Sequence, residues 1–410
     1  MAFDKALDDK FETSTASPVI LNHRYLDDEQ LSKDEQLQAL KEIFEQNIRQ
    51  KEIDALVAYL RPTLRGQHPP HISLLGKAGV GKTATALLIL SHLQQVAQRK
   101  GVELRYEHLD LTTPRPCFRA MNDLACLLDA SKRYTKGISI DEMAGRIEDK
   151  LSGYKGYLVL FVDEIDHVNT DMDNTFLKFL VRRLPQAIPA KLILIFASNR
   201  LGWRQNIDSR VKSFLKVNDI IFDPYNAVDL QKILRVRVTK ALNAGMVDAG
   251  VVEKIAGLAS REHGDARKAV ELLSNAALIA ERQGTRVRLE TVDAAYEALE
   301  TNSYLEFVKC GPPHLQAVLY AAILCLEDSE KHAVTEDIYN FYSKVCDEAG
   351  LSQLSERRVY DLLLELELYG YIRSRKVSLG RHGRRKEMKL LIPPTVISQL
   401  KSRIQEHLKG

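Results

Sequence analysis

The sequence contains few cysteines, and none of them lies in a spacing that binds metal. The five cysteines form neither a C-x-x-C pair nor a combined pattern with histidine, which argues against a zinc site and against a secreted disulfide framework. Long hydrophobic runs are missing too, since the longest apolar stretches, 158–162 and 192–197, are far too short to span a bilayer. We therefore expect a cytoplasmic protein that has no membrane partner and that associates with the nucleoid if it binds DNA.

Excess charge of either sign is also missing. The net charge is only +3 over 410 residues, so any affinity for nucleic acid must come from a local patch. An apolar content of 45% and a charged content of 28% are ordinary for a globular protein, and the length suggests two to three domains. Residues 1–18 are polar and are expected to form a disordered lead-in.

An apolar segment at 71–75 leads into the motif G-x-x-x-x-G-K-T and directly on into a helical pattern. The backbone N–H groups of such a loop face a polyphosphate at a helix N-terminus, with the lysine reaching the β- and γ-phosphates and the threonine binding Mg²⁺. The alternative is an ordinary glycine-rich turn, which the flanking strand and helix disfavour. The residues expected to bind ATP or ADP here are Gly76, Gly79, Val80, Gly81, Lys82, Thr83 and Ala84, with Thr83 also a metal ligand.

Further apolar segments at 104–110, 157–163, 191–197 and 218–222 alternate with helical patterns, which predicts an α/β fold with a parallel sheet covered by helices. Helical periodicity at 34–60 precedes this region. From 223 to about 371 only helical patterns occur, with a Pro-Pro break at 312–313. Helices are expected at 227–242, 248–263, 265–283, 291–300, 314–327, 335–349 and 355–368.

Asp163 and Glu164 end one of the predicted strands, at the edge of the sheet where open α/β proteins bind ligands. We expect Asp163 to hold Mg²⁺ and Glu164 to polarise the attacking water, the alternative being two acids that cap the next helix. Asn199 ends the following strand and can reach the γ-phosphate or the attacking water from the same crevice, although a lone asparagine after a strand is more often a turn residue. Arg210 and Arg267 are candidate cations for that phosphate, although each alone would be an ordinary solvated arginine.

The motifs GKAGVGKT, FVDEID, ASNR, DSRVKSFL and HGDARKAVELL, together with a winged-helix pattern at the C-terminus, cover nearly all residues after about 19. With these motifs the chain resembles AAA+ ATPases, and among them the archaeal origin-recognition initiator family related to the eukaryotic origin-recognition complex and its helicase-loading factor. The resemblance implies an AAA+ domain with strand order 5-1-4-3-2, a helical lid and a winged-helix DNA-binding domain. These domains are expected at 19–223, 224–302 and 303–410.

The resemblance also implies roles for single residues. Asn199 takes the sensor-one role, Arg267 the sensor-two role and Arg210 that of an arginine finger, while Tyr225 and Arg237 contact the nucleotide. An extra helix at 112–128 would touch DNA, with Arg115 and Arg119 as its cations. One departure lies near the N-terminus, where the family often has H-R-E before Q-L and this chain has SKDEQL at 32–37.

The segment 355–368 has the pattern of a DNA-recognition helix. Ser355 can cap it, and the apolar residues Val359, Leu362, Leu363 and Leu366 share one face, which leaves arginines on the other. Residues 371–392 read as two strands joined by a turn at 380–383, with eight cations and one acid, as in a wing that binds the minor groove and phosphates. The alternative for both is a solvated charged surface. The candidate DNA contacts are Arg357, Arg358, Arg373, Arg375, Arg381, His382, Arg384 and Arg385.

We therefore expect an ATP-binding, slowly hydrolysing protein that binds double-stranded origin DNA and helps to recruit or load the replicative helicase, with paralogous initiators as further partners. One alternative is a nucleotide-bound regulator of transcription or of another initiator. The other is a motor similar to a clamp loader, whose DNA contact is independent of sequence.

Overall fold

The computed structural model describes residues 19–20, 22–26, 32–111, 117–128, 138–168, 174–205, 207–328, 333–378 and 384–409. The chain divides into two compact units, Met1–Val292 and Asp293–Gly410. The lead-in expected at 1–18 and the turn expected at 380–383 lie outside the described residues. In the part of the chain that is described, no helix is long and apolar enough to cross a membrane.

The predicted helical segment 34–60 forms two helices, α1 (Lys33–Phe44) and α2 (Gln50–Leu60). Ser32 begins α1 with a capping box, because its side chain accepts from the backbone of Glu35 while the Glu35 carboxylate accepts from the backbone of Ser32. Between the helices Asn47 and Arg49 adopt left-handed φ angles of 59° and 60°, which interrupts helical geometry. The helical spacing is therefore confirmed, and the structure adds a break between two helices.

The first unit is built on a sheet of five parallel strands with the order β2-β3-β4-β1-β5, which confirms the predicted order. Every residue of β3 is buried, as expected for a central strand with helices on both faces. The fifth strand begins and ends one residue earlier than predicted. The strands are β1 (His71–Leu75), β2 (Leu104–Asp110), β3 (Tyr157–Asp163), β4 (Lys191–Ser198) and β5 (Val217–Ile221).

Two apolar cores lie on the two faces of the sheet. On one face α2 and α3 (Lys82–Arg99) pack against residues such as Ile72 and Phe161. The other face carries α4 (Cys117–Leu128), α5 (Ile140–Leu151) and a helical stretch formed by α6 (Thr175–Lys178), the π-helix Phe179–Arg183 and α7 (Leu184–Ala187). The short helix α8 (Ser209–Phe214) precedes β5.

The helices that follow the sheet complete the first unit, and the last of them runs from it into the second unit. They are α9 (Ala227–Ala241), α10 (Val251–Arg261), α11 (Ala266–Gln283) and α12 (Leu289–Cys310). Near the N-terminus, Ile20 forms an antiparallel β-bridge with Leu242, and Asn22 donates its backbone N–H to Ala241 O. Helix α12 is longer than predicted and runs through the domain boundary expected at 302/303, so that boundary remains a prediction.

The second unit has its own core and the element order of a winged helix. Val359, Leu362, Leu363 and Leu366 are all buried in that core, as their spacing predicts. Ser355 caps the predicted recognition helix by accepting from the backbone of Arg358 at 3.4 Å. The elements are α13 (Pro313–Asp328), α14 (Thr335–Ala349), α15 (Glu356–Leu368), the antiparallel strands β6 (Ile372–Ser378) and β7 (Arg384–Leu390), and a last helix, α16 (Pro394–Lys409).

Candidate nucleotide site and DNA-binding surface

The loop between β1 and α3 forms a tight turn at the sheet edge. Gly79 and Gly81 have φ angles of +71° and +87°, the left-handed region that residues other than glycine rarely adopt. Side chains would not fit there, since a Cβ at Gly79 would overlap the Asp265 carboxylate and one at Gly81 would overlap the Tyr225 hydroxyl. The backbone of this loop is therefore fixed in the conformation that exposes N–H groups at the start of α3.

Lys82 is buried at the start of α3, with 6% of its surface exposed. Its Nζ donates to Gly76 O at 2.8 Å, Lys77 O at 2.7 Å and Asn199 Oδ1 at 2.9 Å. Burial is the main cause that lowers its pKa, the Asp163 carboxylate opposes this, and Arg267 lowers the pKa further. All three hydrogen bonds end on uncharged oxygens, so this cation is well placed to receive a negatively charged ligand.

Asp163 lies at the end of β3, buried beside the start of α3. Its Oδ2 accepts a hydrogen bond from Thr83 Oγ1 at 2.6 Å, and His108 Nε2 on the neighbouring strand lies 3.6 Å from the same oxygen. Burial is the largest influence and would raise the pKa of Asp163, but His108 and Thr83 outweigh it, and the pKa lies below its ordinary value. Asp163 is therefore held as a carboxylate.

Glu164 follows directly, with a left-handed φ of 54°. Its Oε2 lies 3.2 Å from His167 Nδ1, which also contacts Leu111 O at 2.9 Å. Burial raises the pKa of Glu164, Asp163 adds to this effect, and His167 and Asn199 oppose it. The pKa values of the two adjacent acids are thus shifted in opposite directions. This arrangement is expected when one carboxylate binds a cation and the other accepts a proton.

The first turn of α11 rests on this glycine-rich loop. Asp265 caps the helix by accepting from Arg267 N at 2.8 Å, and Ala266 N donates to Gly79 O at 3.2 Å. Arg267 is exposed on this turn and close enough to affect the pKa of Lys82. Arg210 is exposed on α8, where its backbone N–H donates to Asp208. Of the two predicted cations, Arg267 is therefore the one that lies near the site within this chain.

Arg49 was missed from the sequence although it contacts the same loop. Its guanidinium lies 4.0 Å from the centre of the Tyr225 ring, its Nε donates to Val80 O at 3.1 Å, and its Nη2 donates to Asp223 O. Its charge is paired with Glu52 at 3.0 Å. One face of the buried Tyr225 ring is thus covered by Arg49 rather than open. Arg237, the other predicted contact, is buried on α9 and donates to Tyr25 O at 3.3 Å.

The residues at the edge of the sheet fit a nucleoside triphosphate with Mg²⁺. The glycine loop and the buried Lys82 provide N–H groups and a cation for phosphates. Thr83 and Asp163 already bring a hydroxyl and a carboxylate oxygen together at 2.6 Å, and these are the hard ligands that Mg²⁺ prefers. Asn199 also lies at this site, where its Oδ1 accepts a hydrogen bond from Lys82 Nζ.

In the second unit, the predicted DNA contacts lie on the recognition helix and the wing. Arg357 and Arg358 are exposed on the first turns of α15, and Arg373 and Arg375 are exposed on one face of β6. Of the remaining candidates, the backbone of Arg384 and Arg385 lies in β7, whereas Arg381 and His382, and Arg115 in the first unit, are outside the described residues. Arg119 is exposed on α4 of the first unit.

The recognition helix is joined to both strands of the wing. Glu367 near the end of α15 accepts from Ser374 N at 2.8 Å and from Ser374 Oγ at 2.7 Å. These hydrogen bonds, the side-chain one first, lower the pKa of Glu367. On the other strand, Lys386 Nζ lies 3.0 Å from the hydroxyl of Tyr360. These contacts fix the wing strands relative to the helix.

Comparison with protein families identifies all three parts of the chain. An AAA ATPase domain model matches residues 48–195, a Cdc6 AAA+ ATPase-type lid model matches 231–297, and a CDC6 C-terminal winged-helix model matches 306–399. The ORC1-type DNA replication protein of Thermococcus kodakarensis is 33% identical over 360 residues, 86% of each chain. ORC1-type DNA replication protein 1 of Aeropyrum pernix is 35% identical over 345 residues, 83% of this chain and 87% of the relative. The chain belongs to the ORC1-type DNA replication protein family.

A solved structure within this family is closely similar. The Aeropyrum pernix ORC1 protein, solved in complex with DNA, has 32% identity and a TM-score of 0.74, covering 95% of this chain and 98% of that one. Membership confirms the predicted AAA+, lid and winged-helix architecture. The chain belongs to this ORC1/Cdc6-type initiator family and contains an AAA ATPase domain, so it is a nucleotide-binding protein.

Placed in this ORC1-type fold, the predicted nucleotide residues fall into two groups. The glycine loop, Lys82, Thr83, Asp163, Glu164 and Asn199 meet at one edge of the sheet. Arg210 is exposed on α8, and Arg237 is buried on α9, where it donates to Tyr25 O. His108 and His167 join the first group, and the sequence carried a signal only for His167, whose spacing of three from Glu164 suits a tight turn.

Proposed function

We propose that this ORC1-type protein is an ATP-dependent replication initiator that binds origin duplex DNA and helps to recruit or load the replicative helicase. The similarity to the Aeropyrum pernix ORC1 protein, which was solved in complex with DNA, carries the DNA-binding part of the proposal. The exposed arginines on α15 and β6 support it, because they suit contacts with bases and phosphates in a winged helix.

In this proposal the glycine loop and Lys82 bind the ATP phosphates, Thr83 and Asp163 hold Mg²⁺, and Asn199 and Arg267 face the γ-phosphate. Bound Mg²⁺ would neutralise charge on the β- and γ-phosphates. The lowered pKa of Asp163 supports its role as a metal ligand, since it stays ionised at neutral pH. Arg210 is proposed to reach the nucleotide of a neighbouring subunit, as its exposed position allows.

Glu164 is proposed to accept the proton of the attacking water. In that step a bond forms between the water oxygen and the γ-phosphorus, the bond to the β–γ bridging oxygen breaks, and ADP and phosphate remain. The raised pKa of Glu164 makes its carboxylate a better proton acceptor than Asp163. We propose that hydrolysis is slow and that nucleotide acts mainly as a switch of DNA binding.

The decisive experiment for the function is to map the protein on its own genome by crosslinking and sequencing. Enrichment at one or a few loci that coincide with replication start sites is the expected result. Many promoter-proximal peaks away from start sites would instead favour a transcriptional regulator and contradict the proposal. A strain in which the tagged protein carries Arg357→Ala and Arg358→Ala serves as the control for signal that does not depend on the winged helix.

Recruitment of the helicase needs a separate measurement. Purified protein is bound to an origin fragment identified by the mapping, and helicase retention on the DNA is measured with ATP and with ADP. Retention that requires both the origin fragment and ATP is expected. Equal retention on a random duplex would contradict the proposed role.

A further inference from the structure

We infer that His167 is a positioning residue that orients the carboxylate of Glu164 for hydrolysis. The inference rests on the proposed hydrolytic role of Glu164 and assigns to it a partner from the same chain. The observation is that one nitrogen of a histidine side chain lies within hydrogen-bond distance of the Glu164 carboxylate and of a backbone carbonyl at once.

The geometry determines which ring nitrogen carries the hydrogen. His167 Nδ1 lies 2.9 Å from Leu111 O and 3.2 Å from Glu164 Oε2. A carbonyl oxygen can only accept, so Nδ1 must be the protonated nitrogen and must donate. Its hydrogen bond goes to Leu111 O, and the Glu164 carboxylate oxygen lies within reach of the same N–H at 3.2 Å. Because the carbonyl belongs to the backbone just after β2, it holds the ring in place independently of the carboxylate.

The local backbone brings the two side chains together. Residues Ile165–His167 form a 3₁₀ turn, in which side chains three residues apart lie over one another. Glu164 stands before this turn with a left-handed φ of 54°, a conformation that costs free energy and that surrounding contacts must maintain. The contact with His167 is such a restraint, applied directly to the carboxylate.

Packing around the Glu164 side chain is not sufficient to hold its carboxylate in one rotamer. Its side chain is 17% exposed and that of His167 is 25% exposed, so both reach the edge of the crevice instead of being packed in the core. A glutamate at such a position has several accessible rotamers, and a displacement of about 1 Å of a reacting group can reduce a rate about a hundredfold. In this inference the imidazole, together with the Asn199 side chain, favours the rotamer in which the carboxylate faces the crevice.

Three substitutions separate this role from simple packing. In His167→Asn the amide nitrogen can take the place of Nδ1 and keep the hydrogen bond, whereas in His167→Gln the amide extends toward the place of Nε2. His167→Ala removes the donor altogether. His92→Ala, at an exposed histidine on α3, is the matched control. Each protein is assayed for ATP affinity with a fluorescent analogue, for single-turnover hydrolysis of bound ATP and for thermal unfolding.

The alanine and glutamine variants are expected to hydrolyse bound ATP about tenfold or more slowly, with the asparagine variant within about threefold of the wild type. ATP affinity should be unchanged in all of them. Normal hydrolysis in His167→Ala would overturn the inference. So would equal rates for the asparagine and glutamine variants, or a loss of affinity and of thermal stability that parallels the loss of rate, since either result would indicate packing alone.

Glu164→Gln distinguishes failure of this inference from failure of the proposed function. If wild-type protein binds ATP without hydrolysing it, or if Glu164→Gln hydrolyses normally, the hydrolytic role of Glu164 is wrong and the role of His167 is wrong with it. If Glu164→Gln is inactive and His167→Ala is fully active, only the role of His167 is wrong.

Discussion

The nucleotide site and the winged helix use charge in opposite ways. At the nucleotide site, Lys82 and Asp163 are buried and each is held by hydrogen bonds to other residues of the site. In the winged helix, Arg357, Arg373 and Arg375 are exposed on a preformed apolar core. Buried groups act through position and low dielectric, whereas exposed cations act through summed charge that salt screens. Substitutions should therefore have large, specific effects in the first region and small, additive effects in the second.

Replacement of Glu164 by Gln should have the largest effect. We expect hydrolysis of bound ATP to fall by about 10²–10⁴-fold, because the amide cannot accept the proton of water, while ATP affinity is retained. Single-turnover hydrolysis and equilibrium binding of a fluorescent analogue measure the two quantities. Normal turnover in Glu164→Gln would contradict the expectation that substitutions at the nucleotide site have large effects.

Replacement of Lys82 by Ala should reduce ATP affinity by about 10² to 10³-fold, because it removes the buried, desolvated cation of the loop. Lys77→Ala is the matched control, since this lysine lies in the same loop but is exposed. Equilibrium binding is the measurement for both. Equal losses for the two lysines would mean that burial does not set the size of the effect.

His71 should make stability depend on pH. Burial, with a smaller contribution from His68, lowers the pKa of His71 to about 4, and its Nδ1 accepts from Leu194 N at 3.1 Å. Since the unfolded chain titrates near 6.5, it binds more protons between that pH and 4, so stability falls as the pH drops through this window. We expect a loss of about 2 kcal/mol in the free energy of unfolding between pH 7 and pH 5.

Urea unfolding at the two pH values measures this loss. His71→Asn keeps an oxygen acceptor at the position of Nδ1 and cannot be protonated in this range. Its stability should therefore change less between pH 7 and pH 5 than that of the wild type. An identical change in both proteins would assign the pH dependence to other groups.

The smallest effect is expected for the wing. Combined replacement of Arg373 and Arg375 by Ala should weaken binding to duplex DNA about tenfold and reduce the slope of log affinity against log salt by about two. Arg99→Ala with Lys100→Ala, two exposed cations at the end of α3, removes the same charge elsewhere and is the control. If the loss of DNA affinity did not depend on salt, these arginines would act through specific position, as the buried groups of the nucleotide site do.

Local patterns in the sequence were sufficient for the strands and the phosphate-binding loop. The apolar runs ending at Asp163 and near Ser198 predict buried parallel strands, and their order brings Asp163, Asn199 and Lys82 to one edge. The break between α1 and α2 within 34–60 is not visible in such patterns. Helical periodicity does not reveal the positive φ angles of Asn47 and Arg49, and the Arg49 side chain is held by contacts with the distant residues Val80 and Asp223.

Those contacts explain why Arg49 and His108 were missed. Arg49 donates to residues 31 and 174 positions away in the sequence, and no short motif encodes such separations. His108 reaches Asp163 only because β2 and β3 pair in the register that sets His108 opposite Phe161. From the sequence, each is indistinguishable from an ordinary arginine or histidine. Pairing between distant strands is the information that was lacking.

The independent core of the second unit has a consequence for how such proteins diversify. Among the described residues, the buried apolar side chains of this core run from Leu315 to Ile404 and come from within Asp293–Gly410. Recombination between related genes at the codons for the start of α12 would therefore transfer this core intact, together with the α12 residues Tyr304 and Leu305 that pack against it. Under the proposed function, one such exchange would change the duplex DNA that the protein binds and leave the residues around Lys82 and Asp163 unchanged.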